Sequence, residues 1–270
     1  MAIDNSFMIR RFQKMERVFM LLSPYTRLPY VECDEATFDD QVYFFAEEEQ
    51  ARAAVESFAR NEITVQVGAV PNDKIDGLLT NLYAMGVNRV VIQDVGAPVY
   101  LELEQLKDAP DLEAMKNDKV PRANPACQLT GLYFSQELRR KIKRNAKQKK
   151  ELVALEEEWA VNLMRSRLIV SLDITDNNGP LVKDKKGQKV KVPVIRNKKG
   201  DVYQPCFTDL WEFQKFNNGK SARFQLIPVN FADLPKHLIG ESIGFVVNPA
   251  GYNLTLSKKQ METLQQKYGE

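Results

Sequence analysis

The chain has 270 residues, 44% of them hydrophobic, so two domains of ordinary size with separate cores are expected. Lys and Arg total 38 against 36 Asp and Glu, a formal charge of +2, which excludes a protein whose whole surface serves nucleic acid or an anionic membrane. The three cysteines, Cys33, Cys127 and Cys206, are far apart and form no Cys-x-x-Cys motif, which argues against a disulfide framework or a zinc site and fits a reducing compartment.

The N-terminal region carries no targeting or membrane signal. Charges are scattered through it, and its apolar run, Val18–Leu22, is too short for the core of a signal peptide. No window approaches the roughly 18 consecutive apolar residues of a membrane span. We therefore expect a soluble cytoplasmic protein without a membrane partner.

Residues 1–106 predict three strands, a helix, a strand, a helix and a hairpin, in that order. Acidic residues at Glu47–Glu49 complement the positive end of the first predicted helix. Asn72 or Asp73 caps the second predicted helix, and Gly86 ends it. The predicted strands and the hairpin lie at Val18–Leu22, Leu28–Cys33, Val42–Phe45, Ile63–Val67 and Val87–Gln105.

The middle of the chain predicts a linker, residues 107–134, and a connecting basic helix, residues 135–166. Three prolines interrupt the linker, and Ser135 is the predicted N-cap of a helix that reaches about Arg165. Eight of the twelve residues of Arg139–Lys150 are basic and none is acidic. This run is either a footprint for phosphates or an acidic partner, or a solvated helix between two domains. The candidate binding residues here are Arg139, Arg140, Lys143, Arg144 and Lys147.

Residues 167–270 predict the same order of elements again. Asp176–Gly179 is a strong hairpin signal, Thr208 is the predicted cap of a helix, and Ser257 caps the last helix. The closing stretch Ile243–Gln260 matches Val87–Gln105 at a constant offset. The matched pairs are Val91 with Val246, Ile92 with Val247, Gly96 with Gly251, Val99 with Leu254 and Leu101 with Leu256. The chain is therefore expected to contain two copies of one small domain.

Three motifs in the second copy carry a resemblance to a known family. They are PCFTDLWEF at Pro205–Phe213, QLIP at Gln225–Pro228 and GFVVNPAG at Gly244–Gly251. Together they resemble the SseB family, named for enhanced serine sensitivity. The resemblance implies an α+β domain, a bacterial source and a cytoplasmic location, and it implies no reaction. The second repeat is the better match, since Gln93-Asp94 replaces Asn-Pro in the first repeat and Ala46 replaces Thr208.

The sequence offers little for catalysis. The single histidine, His237, lies on a predicted helix at a position that favours packing over general base chemistry. Cys206 precedes a predicted helix, whose N-terminus could lower the pKa of a thiol, although its counterpart Phe44 favours a place in the core. No phosphate-binding glycine motif is present. We predict no catalytic residue, metal or cofactor, and Asn248 is a further candidate binding residue.

The sequence thus predicts an α+β protein of two repeats, each with two helices on one face of a mixed or antiparallel sheet. The other face would then receive the sister repeat, a second chain or a ligand. We favour a non-enzymatic bacterial protein that binds or regulates another protein, with homo-oligomers as an option. Two alternatives stay open: an enzyme or small-ligand protein with a pocket between the repeats that uses Cys206, His237 or Asn248, and nucleic-acid binding through the basic helix.

Overall fold

The computed structural model describes residues 5–174, 181–183, 189–218 and 223–269. The chain divides into two compact domains. The first comprises the chain up to Leu112 together with Gly131–Val153, and the second comprises Glu113–Thr130 together with the chain from Ala154 onward. Each domain therefore takes a part of the central helices.

The first domain contains one sheet, three helices that alternate with its strands, and parts of two later helices. Its elements, in chain order, are α1 (Ser6–Lys14), β1 (Arg17–Leu22), β2 (Glu32–Cys33), β3 (Asp40–Phe45), α2 (Glu48–Arg60), β4 (Gln66–Pro71), α3 (Asn72–Ala84), β5 (Arg89–Gln93) and β6 (Val99–Glu102), and then a short 3-10 helix (Leu103–Gln105). Three further helices follow in the chain: α4 (Leu112–Asn117), α5 (Pro125–Leu138) and α6 (Ala146–Met164). All but the first residue of α4 belongs to the second domain, and α5 and α6 are divided between the two domains.

The second domain repeats this plan. Its elements are β7 (Arg167–Asp173), β8 (Leu181–Lys183), β9 (Lys189–Lys191), β10 (Ile195–Arg196), β11 (Val202–Phe207), α7 (Leu210–Asn217), β12 (Phe224–Asn230), a 3-10 helix (Phe231–His237), β13 (Ser242–Val247), β14 (Leu254–Ser257) and α8 (Lys258–Tyr268). The cap at Ser257 is confirmed, because its hydroxyl oxygen accepts a hydrogen bond from the amide of Gln260 at 3.2 Å.

The two sheets share one strand order. In the first domain the order is β4-β1-β3-β5-β6, and in the second the strands β12, β7, β11, β13 and β14 are neighbours in the same sequence. The pairs β3–β5 and β11–β13 are parallel, and the other pairs on these paths are antiparallel. The α+β class and the mixed sheets are therefore confirmed, and the shared order agrees with two similar repeats.

Helices of the first domain pack on both faces of its sheet, so the expectation that one face receives the sister repeat, a second chain or a ligand is wrong for this sheet. Phe44 and Phe45 are neighbours on β3 and point to opposite faces. The ring of Phe44 contacts Phe12 of α1 edge-on at 5.3 Å between centroids. Phe45 lies in a separate cluster with Ala51 of α2. The central strands are long enough and apolar enough on both sides to need a helix against each face.

The predicted basic helix is not continuous. Helix α5 ends at Leu138 and α6 begins at Ala146, so seven of the twelve residues of the basic run are not helical. Ser135 lies inside α5 rather than at its start, and its hydroxyl donates to the carbonyl of Leu132 at 3.1 Å. The break follows from charge, because Arg140 and Arg144 turn back to bind Glu137 near the end of α5. The predicted linker also contains most of α5.

Three smaller predictions differ from the structure, and one of them is the cap of α3, whose N-cap is Pro71 rather than Asn72 or Asp73. The strand expected at Ile63–Val67 is observed at Gln66–Pro71, because α2 runs to Arg60 and the chain then turns through Glu62 at a φ of +59°. The second helix expected in the second repeat is a 3-10 helix, Phe231–His237, that includes Pro235. The hairpin signal at Asp176–Gly179 lies outside the described residues.

Candidate functional site

The motif turn after β13 is held by Asn248, which is completely buried. Asn248 has a φ of +48°, a left-handed conformation that Asn tolerates better than most residues. Its carbonyl accepts hydrogen bonds from the amides of Gly251 at 2.9 Å and Asn253 at 3.0 Å. Its own amide donates to the carbonyl of Cys206 at 2.9 Å. The backbone of this one residue therefore closes the turn and ties it to β11.

The side chain of Asn248 connects three parts of the second domain. Its Oδ1 accepts from the amide of Thr208 at 2.9 Å. Its Nδ2 donates to the hydroxyl of Thr208 at 2.8 Å and to Oε1 of Gln128 at 3.1 Å. The carboxamide thus uses both of its N–H donors and its oxygen inside the protein. Asn248 joins β13, the start of α7 and the N-terminal half of α5.

Helix α7 begins one residue later than the sequence predicts. Asp209, and not Thr208, is the N-cap, and its carboxylate accepts from the amide of Glu212 at 3.0 Å. The hydroxyl of Thr208 donates to the other carboxylate oxygen of Asp209 at 2.8 Å. Thr208 therefore relays a hydrogen-bond chain from Asn248 to the cap of the helix.

Glu212 places a second carboxylate in the same interior. Its side chain is fully buried, and Oε1 accepts from Gln128 and from Lys215. Oε2 has no hydrogen-bond partner among the described residues. A Cβ atom at Gly251 would lie 2.6 Å from Oε2, so only glycine leaves room for this carboxylate. We refer to Gln128, Thr208, Asp209, Glu212 and Asn248 as the buried polar corner.

The carboxyl group of Asp209 is buried and has a second carboxyl group, that of Glu212, as its neighbour. Burial and the neighbouring Glu212 raise the pKa of Asp209 to about 7 from its usual 3.8. The hydrogen bonds from the amide of Glu212 and from Thr208, together with the Lys215 ammonium, act in the opposite direction. A proton is therefore held at Asp209 under acidic conditions in which an exposed carboxyl group is ionised.

The other two candidate residues for chemistry lie in the same domain. Cys206 is completely buried, and burial raises the pKa of its thiol, the reverse of the activation considered for a helix N-terminus. His237 ends the 3-10 helix and is half-buried, and its carbonyl accepts from the side chain of Gln204 at 3.0 Å. Cys206 and Asn248 have no solvent exposure, so neither can meet a substrate in this conformation.

The candidate basic residues fall into two groups. Arg140 and Arg144 bind Glu137, and Arg140 also donates to the carbonyls of Asn61 at 3.1 Å and Glu62 at 3.3 Å. Arg139 is partly buried, and burial lowers its pKa. By contrast Lys143 and Lys147 are exposed, and Lys147 lies 3.6 Å from Glu151. The arginines therefore fix the bend between α5 and α6, and the lysines face solvent.

Sequence reasoning found Asn248 but missed Gln128 and Glu212. Gln128 lies in a segment assigned to a linker, 120 residues before its partner Asn248. Glu212 follows Asp209 by three residues, which is the spacing of an N-cap and the N3 residue it binds, and that spacing was a usable signal. In the first domain the equivalent turn is held differently, by Gln93 donating to the carbonyl of Gly96 at 2.8 Å.

Asp94 marks the contrast between the two turns. It is buried beside the turn of the first domain and forms an ion pair with Arg11 of α1. The turn of the first domain is thus connected to helix α1 by an ion pair, whereas the turn of the second domain is held by hydrogen bonds of Asn248 with Thr208.

Neither a metal cluster nor a membrane helix is found in the part of the chain that the structure describes. Across the residues that the structure describes, no three His, Cys, Asp or Glu side chains are placed to hold a metal ion. None of the helices in those same residues is both long and apolar enough to cross a membrane.

Comparison with known proteins gives one family and two structural likenesses. Residues 148–263 match the family model of the SseB protein N-terminal domain, which confirms the resemblance to the SseB family for this part of the chain. No curated protein matches the chain significantly. Among solved structures, the chain is similar to Tic22 from Plasmodium falciparum, with 11% identity, a TM-score of 0.23, and 97% of this chain and 98% of that chain covered. It is also similar to Anabaena Tic22 (protein transport), with 10% identity, a TM-score of 0.23 and 96% and 95% coverage.

Proposed function

We propose that this chain, whose residues 148–263 form an SseB-family domain, is a protein-binding module that performs no chemistry of its own. We place its main contact surface on four exposed lysines of the first domain, which we call the lysine patch. Its members are Lys141, Lys143, Lys149 and Lys150. The proposed partner is a protein with an acidic surface.

The observation that carries the proposal is that two arginines of the basic run form ion pairs within the protein and the lysines of the patch form none among the described residues. The arginines at 140 and 144 are bound to Glu137, whereas the lysine patch forms no ion pair with any residue that the structure describes. Exposed, unpaired lysines retain their full attraction for an anionic partner, subject to screening by salt. A basic run kept only for solubility would not need this separation.

The position of the patch at a helix start supports the same proposal. Lys149 and Lys150 follow the first residue of α6 by three and four positions, close to the positive end of the helix dipole. The first turn of α6 contains no acidic residue. Lysines there weaken the isolated helix by a few tenths of a kcal/mol each, at roughly the scale of such dipole effects. An anionic partner would remove that penalty.

The buried polar corner supports the absence of chemistry in this proposal. Its carboxylates and its amide are sealed from solvent and hydrogen-bonded to one another, which is the condition of a structural network. We therefore assign Asn248 to stability rather than to binding.

A cytoplasmic location belongs to the same proposal. All three cysteines are free, and Cys33 is exposed, which suits a reducing compartment. We propose a bacterial source on the basis of the family alone. Fractionation of cells that produce the tagged chain, with thiol labelling of Cys33 in each fraction, tests the location.

The test of function is a charge reversal with a matched control. In one variant the four residues of the lysine patch are replaced by Glu. In the control, four exposed lysines of the second domain are replaced in the same way: Lys198, Lys199, Lys258 and Lys259. Both variants change the net charge equally, so an effect of total charge alone would appear in both.

We expect crosslinking in living cells, followed by mass spectrometry, to recover acidic partner proteins with the wild type and the control but not with the patch variant. Loss of the same partners in both variants would contradict the proposal. A gel shift with DNA and RNA runs in parallel, since a nucleic-acid complex that the patch variant alone loses would replace the protein partner with a nucleic acid.

A further inference from the structure

The outer edge of β4 is a free sheet edge. Among the described residues, β4 pairs with β1 on one side and with no strand on the other. Its sequence, QVGAVP, contains no charged residue, and its proline, Pro71, is the last residue of the strand. Proteins usually protect such an edge with charge, proline or a covering segment, because its unpaired N–H and C=O groups attract other strands.

The register identifies which backbone groups face outward. Asn72 donates its amide to the carbonyl of Glu16 at 2.9 Å, so the residue pairs 16–72, 18–70 and 20–68 are the hydrogen-bonded pairs of this antiparallel ladder. The carbonyl of Leu21 accepts from Tyr30 on the other side of β1, which agrees with this alternation. Val67 and Ala69 therefore point their N–H and C=O groups away from β1, toward the free edge.

A groove of about 510 Å³ lies beside this edge, between β4 and α2. Apolar side chains of both strands and of α2 line it, and Glu48, Arg52 and Glu56 of α2 line the rest. Ala69 is paired in register with Phe19, and both side chains line the groove. A strand added at the edge would direct every second side chain into this groove.

The second domain carries a block at the equivalent position. In the second domain Pro228 of β12 is paired with Ile169 of β7, and in the first domain Ala69 of β4 is paired with Phe19 of β1. These two pairs occupy equivalent positions in the two sheets. The amide of Ile174 donates to the carbonyl of Arg223 at 3.0 Å, which places the nitrogen of residue 228 on the outer edge. Proline has no N–H there, and its ring obstructs an approaching strand. At this position the first domain thus has an outward N–H where the second domain has a proline.

We propose that β4 is a docking site for an extended segment of a partner protein, which adds to the sheet as a further strand. The backbone groups of Val67 and Ala69 would pair with that segment, and its alternate apolar side chains would fill the groove. A Lys or Arg in the segment would meet Glu56, which forms no ion pair with the described residues. This site is separate from the lysine patch and does not depend on it.

The decisive variants exchange the two residues that distinguish the edges. Ala69→Pro introduces the block of the second domain and removes one outward N–H, and Pro228→Ala removes that block. Ala69→Ser is the control, because it keeps the N–H and a small side chain. If Ala69→Pro fails to fold by circular dichroism, Ala69→Lys replaces it, since the exposed site tolerates lysine while the charge enters the groove.

The probe is a phage-displayed library of random peptides, selected on the full chain. We expect peptides with alternating apolar residues, whose affinity falls at least about tenfold with Ala69→Pro and is unchanged with Ala69→Ser. In hydrogen exchange, bound peptide should newly protect the amides of Val67 and Ala69, while Gly68 and Val70 are protected already.

Three results would overturn this site. Peptides that bind the Ala69→Pro and wild-type chains equally would exclude strand addition at β4. A library that yields no enriched peptide would mean that the open edge recruits no such segment. Dimers of the wild type that Ala69→Pro dissociates, measured by analytical ultracentrifugation, would make a second copy of the chain the occupant.

Discussion

Replacement of Asn248 by Ala tests whether the family motif stabilises the second domain. The change removes three side-chain hydrogen bonds, at 2.8, 2.9 and 3.1 Å, from a residue with no solvent exposure. It leaves the amide of Thr208 and Oε1 of Gln128 without their partners in the interior. It also forces alanine into a left-handed conformation at a φ of +48°.

The magnitude follows from these losses. A buried polar group left without a partner costs roughly 1–3 kcal/mol, and two groups are affected. The left-handed conformation adds about 1 kcal/mol for a residue with a Cβ. Allowing for relaxation of the turn, we expect Asn248→Ala to lower the free energy of unfolding of the second domain by about 3–5 kcal/mol. That is a large share of the roughly 5–15 kcal/mol of a typical domain.

Urea unfolding followed by tryptophan fluorescence measures the free energy of unfolding of the second domain. Both tryptophans, Trp159 and Trp211, belong to the second domain, so the signal reports on that domain. Asn248→Gly separates the two contributions, because glycine accepts the positive φ but makes none of the hydrogen bonds. The matched control is Gln93→Ala in the turn of the first domain, which should leave the fluorescence transition unchanged. A loss below about 1 kcal/mol for Asn248→Ala would refute the structural role and return Asn248 to the list of binding residues.

Two further predictions concern the buried polar corner. Because burial raises the pKa of Asp209 from 3.8 to about 7, the folded state holds a proton that the unfolded state releases, so stability should fall as pH rises from about 4 to 7 and then level off. Asp209→Asn keeps an oxygen that can cap α7, and urea unfolding across this range should lose that slope; an unchanged slope would mean that another group is responsible. Gly251→Ala should destabilise the second domain by about 1–3 kcal/mol, because its Cβ would lie 2.6 Å from Oε2 of Glu212. Gly96→Ala has open space around its Cβ, so it measures only the cost of a φ of +93°. Gly251 has no such left-handed φ, so a loss below about 1 kcal/mol for Gly251→Ala would contradict the close contact.

Local patterns predicted most elements of the sheets, whereas contacts between distant parts of the chain escaped them. Alternation of apolar residues and the cap at Ser257 depend on neighbours in sequence, and they predicted most strands and the start of the last helix. The cap of α7 was predicted one residue too early, and Ser135 lies inside α5. The break after Leu138 depends on ion pairs of Arg140 and Arg144 with Glu137. The periodicity of apolar residues does not show such pairs. Gln128 could not be assigned to the corner, because nothing near it in sequence shows that Asn248 lies opposite.

The two domains share one fold and differ at two places, the turn that contains Asn248 or Gln93 and the outer edge strand of the sheet. The second domain has a fully bonded turn at Asn248 and a proline at its outer edge, so both its motif and its edge are closed to partners. The first domain has Gln93 in place of Asn248, Ala69 in place of Pro228, and the lysine patch on residues that belong to it. A sheet needs its central strands for stability but can vary its edge and its turns at low cost. Recognition by this chain is therefore expected to concentrate in the first domain, whose sequence lies farther from the family motif.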